Sequence, residues 1–359
     1  MELLYKGDWE EAKKRYTAWW AHEVVDRCVI AVTAPKDGIN KNELAPQAPS
    51  DPIEKLTNLD YISKCNEYNH SRTFFGGEAF PIWSSAYPGH TTMRTFLGCP
   101  IHFGAGTAWH EPILNDDDWD IHQLRIDKES YWWQFTIELV KKAAEQCKGN
   151  SIPSIPALSG CGDTLSTLRG NDKLLLDVLD FPERILDAEM YLMDIWIEVY
   201  STFYDLIKES GEGSTAHIPL WSPERYYFTQ CDFSYMISPT MFQKMFLPAI
   251  EKQTEFLGHS IHHLDGVDAF RHLPALCELP RLQAIQVRPG TGKPNALHYM
   301  DTLKIAQAAG KNIWIQIPSD EVEQTLIDLS AKGLFIYTSC ETEDEARDLL
   351  EKVNKWSHD

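Results

Sequence analysis

The sequence predicts a (β/α)8 barrel with an N-terminal helical extension and an insertion that covers the barrel mouth. Three observations predict it. The chain has 359 residues, 43% of them hydrophobic and 24% charged, which is material for one large α/β core. Beyond residue 150, short apolar runs alternate with helical segments of about 10 to 15 residues, the pattern of parallel β-α units. No glycine-rich dinucleotide turn follows the first strand, which ranks an open doubly wound sheet second.

In order along the chain, residues 1–27 read as a charged, amphipathic helical extension, with no run of small and apolar residues that would mark a signal peptide. Val29 to Thr33 is the first strand. Residues 36–150 are irregular and rich in aromatics and glycine, among them Phe74, Phe75, Gly76, Gly77, Trp83, Tyr87 and Trp109. They read as a long insertion over the mouth, with the region around Met93 to Phe103 supplying a further strand. Six more strands follow: Ile152 to Leu158, Thr215 to Trp221, Ser260 to Leu264, Leu282 to Val287, Asn312 to Ile317 and Leu334 to Thr338. Two and six make the eight that close a barrel. Between them, Pro182 to Lys208 has helical periodicity, with Ile185, Met193 and Tyr200 on one face. Ser238-Pro239 opens a helix, serine as cap and proline in the first turn. Asp268 to Glu278, Tyr299 to Ala309, Asp320 to Ser330 and Thr342 to Trp356 complete the helices. The whole chain, 1–359, reads as one domain.

The formal net charge of −20 is spread along the chain and repels phosphate backbones, which argues against a nucleic-acid partner. No stretch reaches the roughly 20 apolar residues of a spanning helix, so no membrane partner is expected. Eight cysteines occur without a C-x-x-C pair, which predicts reduced thiols and a cytoplasmic protein.

In a parallel barrel, catalytic groups lie at the C-terminal ends of the strands. That rule selects Trp221 and, beyond it, Asp232; His263 and Asp265; Gln286 and Arg288; Gln316; and Cys340. Glu78, at the end of the Phe74 to Gly77 run, joins Trp221, Gln286, Arg288 and Gln316 as a candidate substrate contact. His263 and Asp265 are two apart in a strand and share a face, so both could ligate one metal ion, with Cys340 as third ligand. They could equally bond each other or a substrate while Cys340 is a small buried hydrophobe, and spacing alone favours this second reading. His262 alternates with His263 and should face the helices. His217, His272 and His298 read as surface or core residues. Val287 to Lys293 is a turn whose N–H groups, with Arg288 and Lys293, could bind an anion.

The run Asp232-Phe233-Ser234-Tyr235-Met236-Ile237-Ser238-Pro239, followed by Phe242 and Pro248, resembles the D-x-S-x-x-x-S-P…F…P stretch of the uroporphyrinogen decarboxylase superfamily. Ile261-His262-His263-Leu264-Asp265-Gly266 is similar to its H-x-C-G or H-x-D-G strand end, and Cys340 matches a late cysteine of its methyltransferase branch. The resemblance covers residues 150–356 well and the rest loosely. It implies a (β/α)8 barrel and one of two activities. The decarboxylase branch is cofactor-free and carries an R-Q-A-G-R type signature, which is absent here. The methyltransferase branch holds zinc with H-x-C…C, which maps onto His263, Asp265 and Cys340 with aspartate at the middle position. It works with a corrinoid, which a partner protein would carry because no D-x-H-x-x-G motif occurs in this chain. The leading expectation is therefore a zinc-dependent methyltransferase acting on a small-molecule substrate, with Asp232 and Asp265 catalytic. The alternatives are a metal-independent decarboxylase and a non-catalytic ligand-binding barrel. The resemblance also leads one to expect a homodimer.

Overall fold

The computed structural model describes residues 3–40, 42–84, 89–104, 107–210 and 213–357. Its strands are β1 (Val29–Pro35), β2 (Thr73–Gly77), β3 (Ile82–Trp83), β4 (Ile101–Gly104), β5 (Thr107–His110), β6 (Ile152–Pro153), β7 (Tyr226–Gln230), β8 (His259–Asp265), β9 (Ala284–Arg288), β10 (Asn312–Gln316) and β11 (Leu334–Ser339). Seven of these form one sheet in the order β2-β1-β11-β10-β9-β8-β7. Every pairing in it is parallel except β1 with β2. Four consecutive residues are buried in each of β1, β7, β9 and β10, as expected of parallel strands covered on both faces. The protein is thus a mixed α/β structure built on a central, mostly parallel sheet. Two smaller pairings stand apart from it, β3 with β6 in parallel and β4 with β5 as an antiparallel hairpin.

Two expected strands differ. Thr215 to Trp221 forms no ladder: Thr215 makes a single bridge to Ser154, and the flanking Ser214 and Ser222 bridge each other. Pro219 lies within it and has no N–H to donate. The ladder strand is instead β7, whose Tyr-Tyr-Phe-Thr-Gln composition suits a pleated surface. The Met93 to Phe103 region divides at Gly98, whose φ is +96°. Its first half is the short helix Met93–Phe96 and its second half is β4. Helices fit their sequence signals more closely. The helix Pro182–Ile207 buries Ile185, Met193 and Tyr200. Ser238 accepts from the Met241 N–H and caps Pro239–Met245.

The two ends of the sheet are built differently. The helix Trp9–Trp20 seals the end at which the parallel strands begin. Trp19 Nε1 donates to Gly333 O at 3.0 Å and Trp20 Nε1 to Trp221 O at 2.9 Å. Tyr16 donates to Glu78 O at 2.9 Å. Glu78 is fully buried there, and accepts from Arg27 Nη1 at 2.7 Å, Arg27 Nη2 at 2.9 Å and the Ile30 N–H at 2.9 Å. Trp221 packs edge-on against Trp9, ring centroids 5.5 Å apart. Glu78 and Trp221, read from the sequence as substrate contacts, are instead enclosed by protein. Both belong to the sealed end, where a buried carboxylate meets its guanidinium and an indole completes an aromatic plug. Among the described residues no helix is long and apolar enough to cross a membrane.

Removing Glu78 would leave Arg27 buried without its counter-charge. Glu78→Ala is expected to lower unfolding stability by about 3–5 kcal/mol, read from urea denaturation midpoints. A change within about 0.5 kcal/mol would contradict this account of the sealed end.

Candidate active site

A cavity of about 1120 Å³ opens at the other end, where the parallel strands finish. Its floor is Phe228 and Gln230 of β7, His263 of β8 and Arg288 of β9, and its roof includes Trp109 and His110 of β5. One wall is the helix Cys161–Arg169, which contributes Asp163 and Thr167.

Asp232 and His263 line this cavity, and with Asp265 they form a group in which each offers a ligand atom within 4.8 Å of the others. Alternation along β8 turns His263 and Asp265 to the same side, with His263 Nε2 and Asp265 Oδ2 3.6 Å apart. That is an ion-pair separation and too long for a hydrogen bond. His263 Nδ1 is bonded to Gln286 Oε1 on the neighbouring strand, which fixes the ring and aims Nε2 at the carboxylates. Burial alone would lower the His263 pKa, but Asp265, Asp232 and Gln286 outweigh it and the net shift is upward. Asp265 is held below its ordinary value, first by His263 and then by Arg288. The carboxylate of Asp232 opens into the cavity. Enclosure by protein there, reinforced by Asp163, pushes its pKa up to about 7.

Asp163 sets the position of Asp232. It accepts from the Asp232 N–H at 2.7 Å, the Phe233 N–H at 3.2 Å and Gln230 Nε2 at 2.5 Å. Two glycines make that approach feasible. A Cβ at Gly160 would lie 2.1 Å from Gln230 O, and one at Gly162 would lie 2.5 Å from Cys231 Sγ. The helix carrying Asp163 therefore meets the end of β7 backbone to backbone. Burial raises the Asp163 pKa, and its three donors oppose that rise.

The other expected residues divide. Gln286 is buried and supports His263. Arg288 lines the cavity, and its Nη1 donates to Gln316 Oε1 at 3.0 Å, so Gln316 acts on Arg288. Cys340 is not in the Asp232–His263–Asp265 group. The strand it follows, β11, lies three places from β8, roughly 14 Å along the sheet. Its N–H donates to Thr33 O at 2.9 Å and its thiol is bonded to Ser319. Asp232, expected as a catalytic residue, is the third member of that group. His262 points away from the cavity, as expected, and bonds Thr229 Oγ1 at 2.7 Å. His217, read from sequence as a surface or core residue, lines the cavity. Asp163, Arg94 and His110 line it as well and were not anticipated. Gly160-Cys161-Gly162-Asp163 at a helix start was the one available signal, since paired glycines mark a close backbone approach. Tyr87 lies outside the described residues.

No protein-family model and no curated protein matches the chain. Solved structures do. A methyltransferase from Methanosarcina mazei shares the fold with a TM-score of 0.62 at 14% identity, over 96% of this chain and 98% of that one. The architecture is therefore one that a known methyltransferase also adopts, although so low an identity carries the fold and no activity.

Three histidines around this region are kept neutral by burial, with pKa values lowered to about 4 for His90, about 4 for His110 and about 3 for His262. Unfolding would release them to their ordinary value of about 6.5. Their contribution is complete above that pH and is lost as pH falls from about 6.5 towards 4, because the unfolded chain then binds more protons. Urea midpoints should drop between pH 7 and 4.5, and drop less in His262→Gln. An equal or steeper drop in the variant would contradict the assignment.

Proposed function

We propose that the chain is an enzyme of the methyltransferase branch of the uroporphyrinogen decarboxylase superfamily. In this reading His263, Asp265 and Asp232 hold a divalent ion, zinc first, and a methyl group moves between a small substrate and a corrinoid carried by a partner protein. The observation that carries it is the convergence of three ligand atoms at the strand ends, with Asp232 and His263 lining the cavity. The donor set fits. Two ligands on a tetrahedral zinc with bonds of about 2.1 Å sit roughly 3.4 Å apart, close to the 3.6 Å between His263 Nε2 and Asp265 Oδ2. The Gln286 bond to His263 Nδ1 is the usual outer support of a metal-binding imidazole. A bound zinc would lower the pKa of a thiol, alcohol or water, and two carboxylate ligands make it the stronger Lewis acid that an oxygen substrate needs. The chain's own groups do the rest: Asp163 fixes Asp232, Gln286 orients His263, and Arg288, steadied by Gln316, faces the substrate.

The fold belongs to the same reading. β1, β3, β6, β7, β8, β9, β10 and β11 would be the eight parallel strands of a barrel. The ladder is continuous from β1 through β11 to β7. The join from β7 to β6 is supported by the Leu158 N–H donating to the Tyr227 hydroxyl at 2.6 Å and by the contact of Gly160 with Gln230. β6 pairs with β3, and β3 follows β2 and the Glu78 turn back to β1.

Elemental analysis of the purified protein tests the metal. About one zinc per chain is expected, lost in His263→Ala and kept in Cys340→Ala, with Gln286→Ala weakening metal affinity about 10–100-fold. Absence of metal, or metal content unchanged in His263→Ala, would sink the reading. A second reading, metal-independent decarboxylation of a carboxylated aromatic, is favoured by one observation: the Asp232 carboxyl, with a pKa of about 7, is suited to hold or donate a proton. It requires turnover that survives chelators and is lost in Asp232→Asn.

A further inference from the structure

The roof of the cavity holds a histidine whose tautomer is fixed by the number of protons around it. His110 ends β5 at the root of the β4–β5 hairpin, opposite Ile101, and lines the cavity. Its Nε2 lies 2.7 Å from Thr95 Oγ1. Thr95 belongs to a small polar knot. Its Oγ1 is 3.1 Å from Thr92 Oγ1, and Gly89 O lies 3.0 Å from Thr92 Oγ1 and 3.4 Å from Thr95 Oγ1. Gly89, Thr92 and Thr95 are all buried, so polar atoms facing each other there need a proton between them. Three protons are required: one towards Gly89 O, one between the threonines, and one between Thr95 and His110. The two hydroxyls supply two. The third comes from His110, whose Nε2–H donates to Thr95 Oγ1. The opposite tautomer would leave Gly89 O without a hydroxyl donor or set two hydroxyl oxygens against each other.

A neutral imidazole carries one proton, so its other nitrogen is a bare acceptor. Burial first, then Arg94 and His102, lower the His110 pKa to about 4, which keeps the ring neutral at neutral pH. Nδ1 of His110 is therefore an acceptor held in a fixed direction. It has no partner among the described residues. Unlike both ring nitrogens of His90, it is not sealed inside the protein. Other acceptors of the cavity are engaged: Asp163 by three donors, and Asp232 in the group with His263 and Asp265. His110 Nδ1 is left for something in the cavity.

We propose that His110 determines specificity in this cavity: its Nδ1 accepts a hydrogen bond from a neutral O–H or N–H of the substrate, so that the site takes an alcohol or an amide bearing N–H in preference to the matching ether or tertiary amide. A site built around such a bond rejects the analogue that lacks the donor, because the acceptor is then left unpaired. An ammonium is disfavoured as the donor, since Arg94 already acts on this ring and a second cation there would be repelled. This inference rests on the reading of the cavity as the substrate site, and it does not depend on whether a metal is bound.

The test uses the full chain labelled with 15N-histidine, at neutral pH, with the His110 signals identified by their absence from His110→Gln or His110→Asn. Long-range 1H–15N correlation should show Nε2 protonated and Nδ1 bare. Benzyl alcohol and anisole, isomers that differ by one hydrogen-bond donor, are then titrated to about 10 mM. Benzyl alcohol should move the Nδ1 signal saturably and anisole should not. By calorimetry benzyl alcohol should bind wild type about 2–10-fold more tightly than anisole, the effect of one hydrogen bond. His110→Gln keeps a donor for Thr95 but loses the Nδ1 acceptor, and should bind the two isomers alike. His110→Asn, whose amide oxygen stands near the place of Nδ1, should recover part of the preference. A proton on Nδ1, no response of Nδ1 to benzyl alcohol, an equal response to anisole, or an undiminished preference in His110→Gln would each overturn the proposal. The wild-type signals decide it even where one variant does not fold. Metal content is read on the same samples: its absence removes the metal reading and leaves this inference standing, and a proton on Nδ1 does the reverse.

Discussion

Three donors converge on the carboxylate of Asp163, and the chemistry of the cavity depends on that convergence. Gln230 Nε2 and the N–H groups of Asp232 and Phe233 come from the end of β7, whereas Asp163 comes from the first turn of the helix Cys161–Arg169. A buried carboxylate with fewer partners would be costly. Satisfied by three, it ties helix to strand and turns Asp232 towards His263 and Asp265. Gly160 and Gly162 are the condition for this tie, since any side chain there would meet Gln230 O or Cys231 Sγ. Enclosure by protein raises the Asp232 pKa first, and Asp163, held close by this tie, is the first charged neighbour to add to the rise.

The molecule separates stability from chemistry along the strand direction. At the strand starts, Trp9, Tyr16, Trp19 and Trp20 form an aromatic plug with Trp221 and Phe335, and the buried Arg27–Glu78 pair is joined by two hydrogen bonds. At the strand ends, charged and polar groups are left facing an open cavity: His263 with two carboxylates, Arg288 leaning on Gln316, and Arg94 among hydroxyls. Polar groups held in this way are expensive unless they are used, and they converge from several separate elements.

Much of this was legible in the sequence because it follows from short periods. The two-residue repeat of a strand selected His263 and Asp265 as partners and sent His262 to the far side, where it meets Thr229. β8, β9, β10 and β11 were readable as apolar runs between helices. What could not be read depends on contacts between residues distant in the chain. Glu78 pairs with an arginine 51 residues away, so nothing local distinguishes it from a cavity residue. Asp163 acquires its role from a backbone approach 69 residues away, at Asp232. Cys340 follows β11 as expected, but strand order sets β10 and β9 between that strand and β8. The run around Pro219 is apolar without being able to ladder, and the ladder forms instead on the aromatic run of β7.

The proposed metal site turns on Asp232, His263 and Asp265 holding one ion together. Anomalous diffraction recorded on either side of the zinc absorption edge, from crystals of the protein grown with zinc, tests it most directly. The account predicts an anomalous peak bounded by His263 Nε2 and the carboxylates of Asp265 and Asp232, with Cys340 outside its coordination. No peak at the strand ends, or a peak ligated by Cys340 without Asp232, would contradict it.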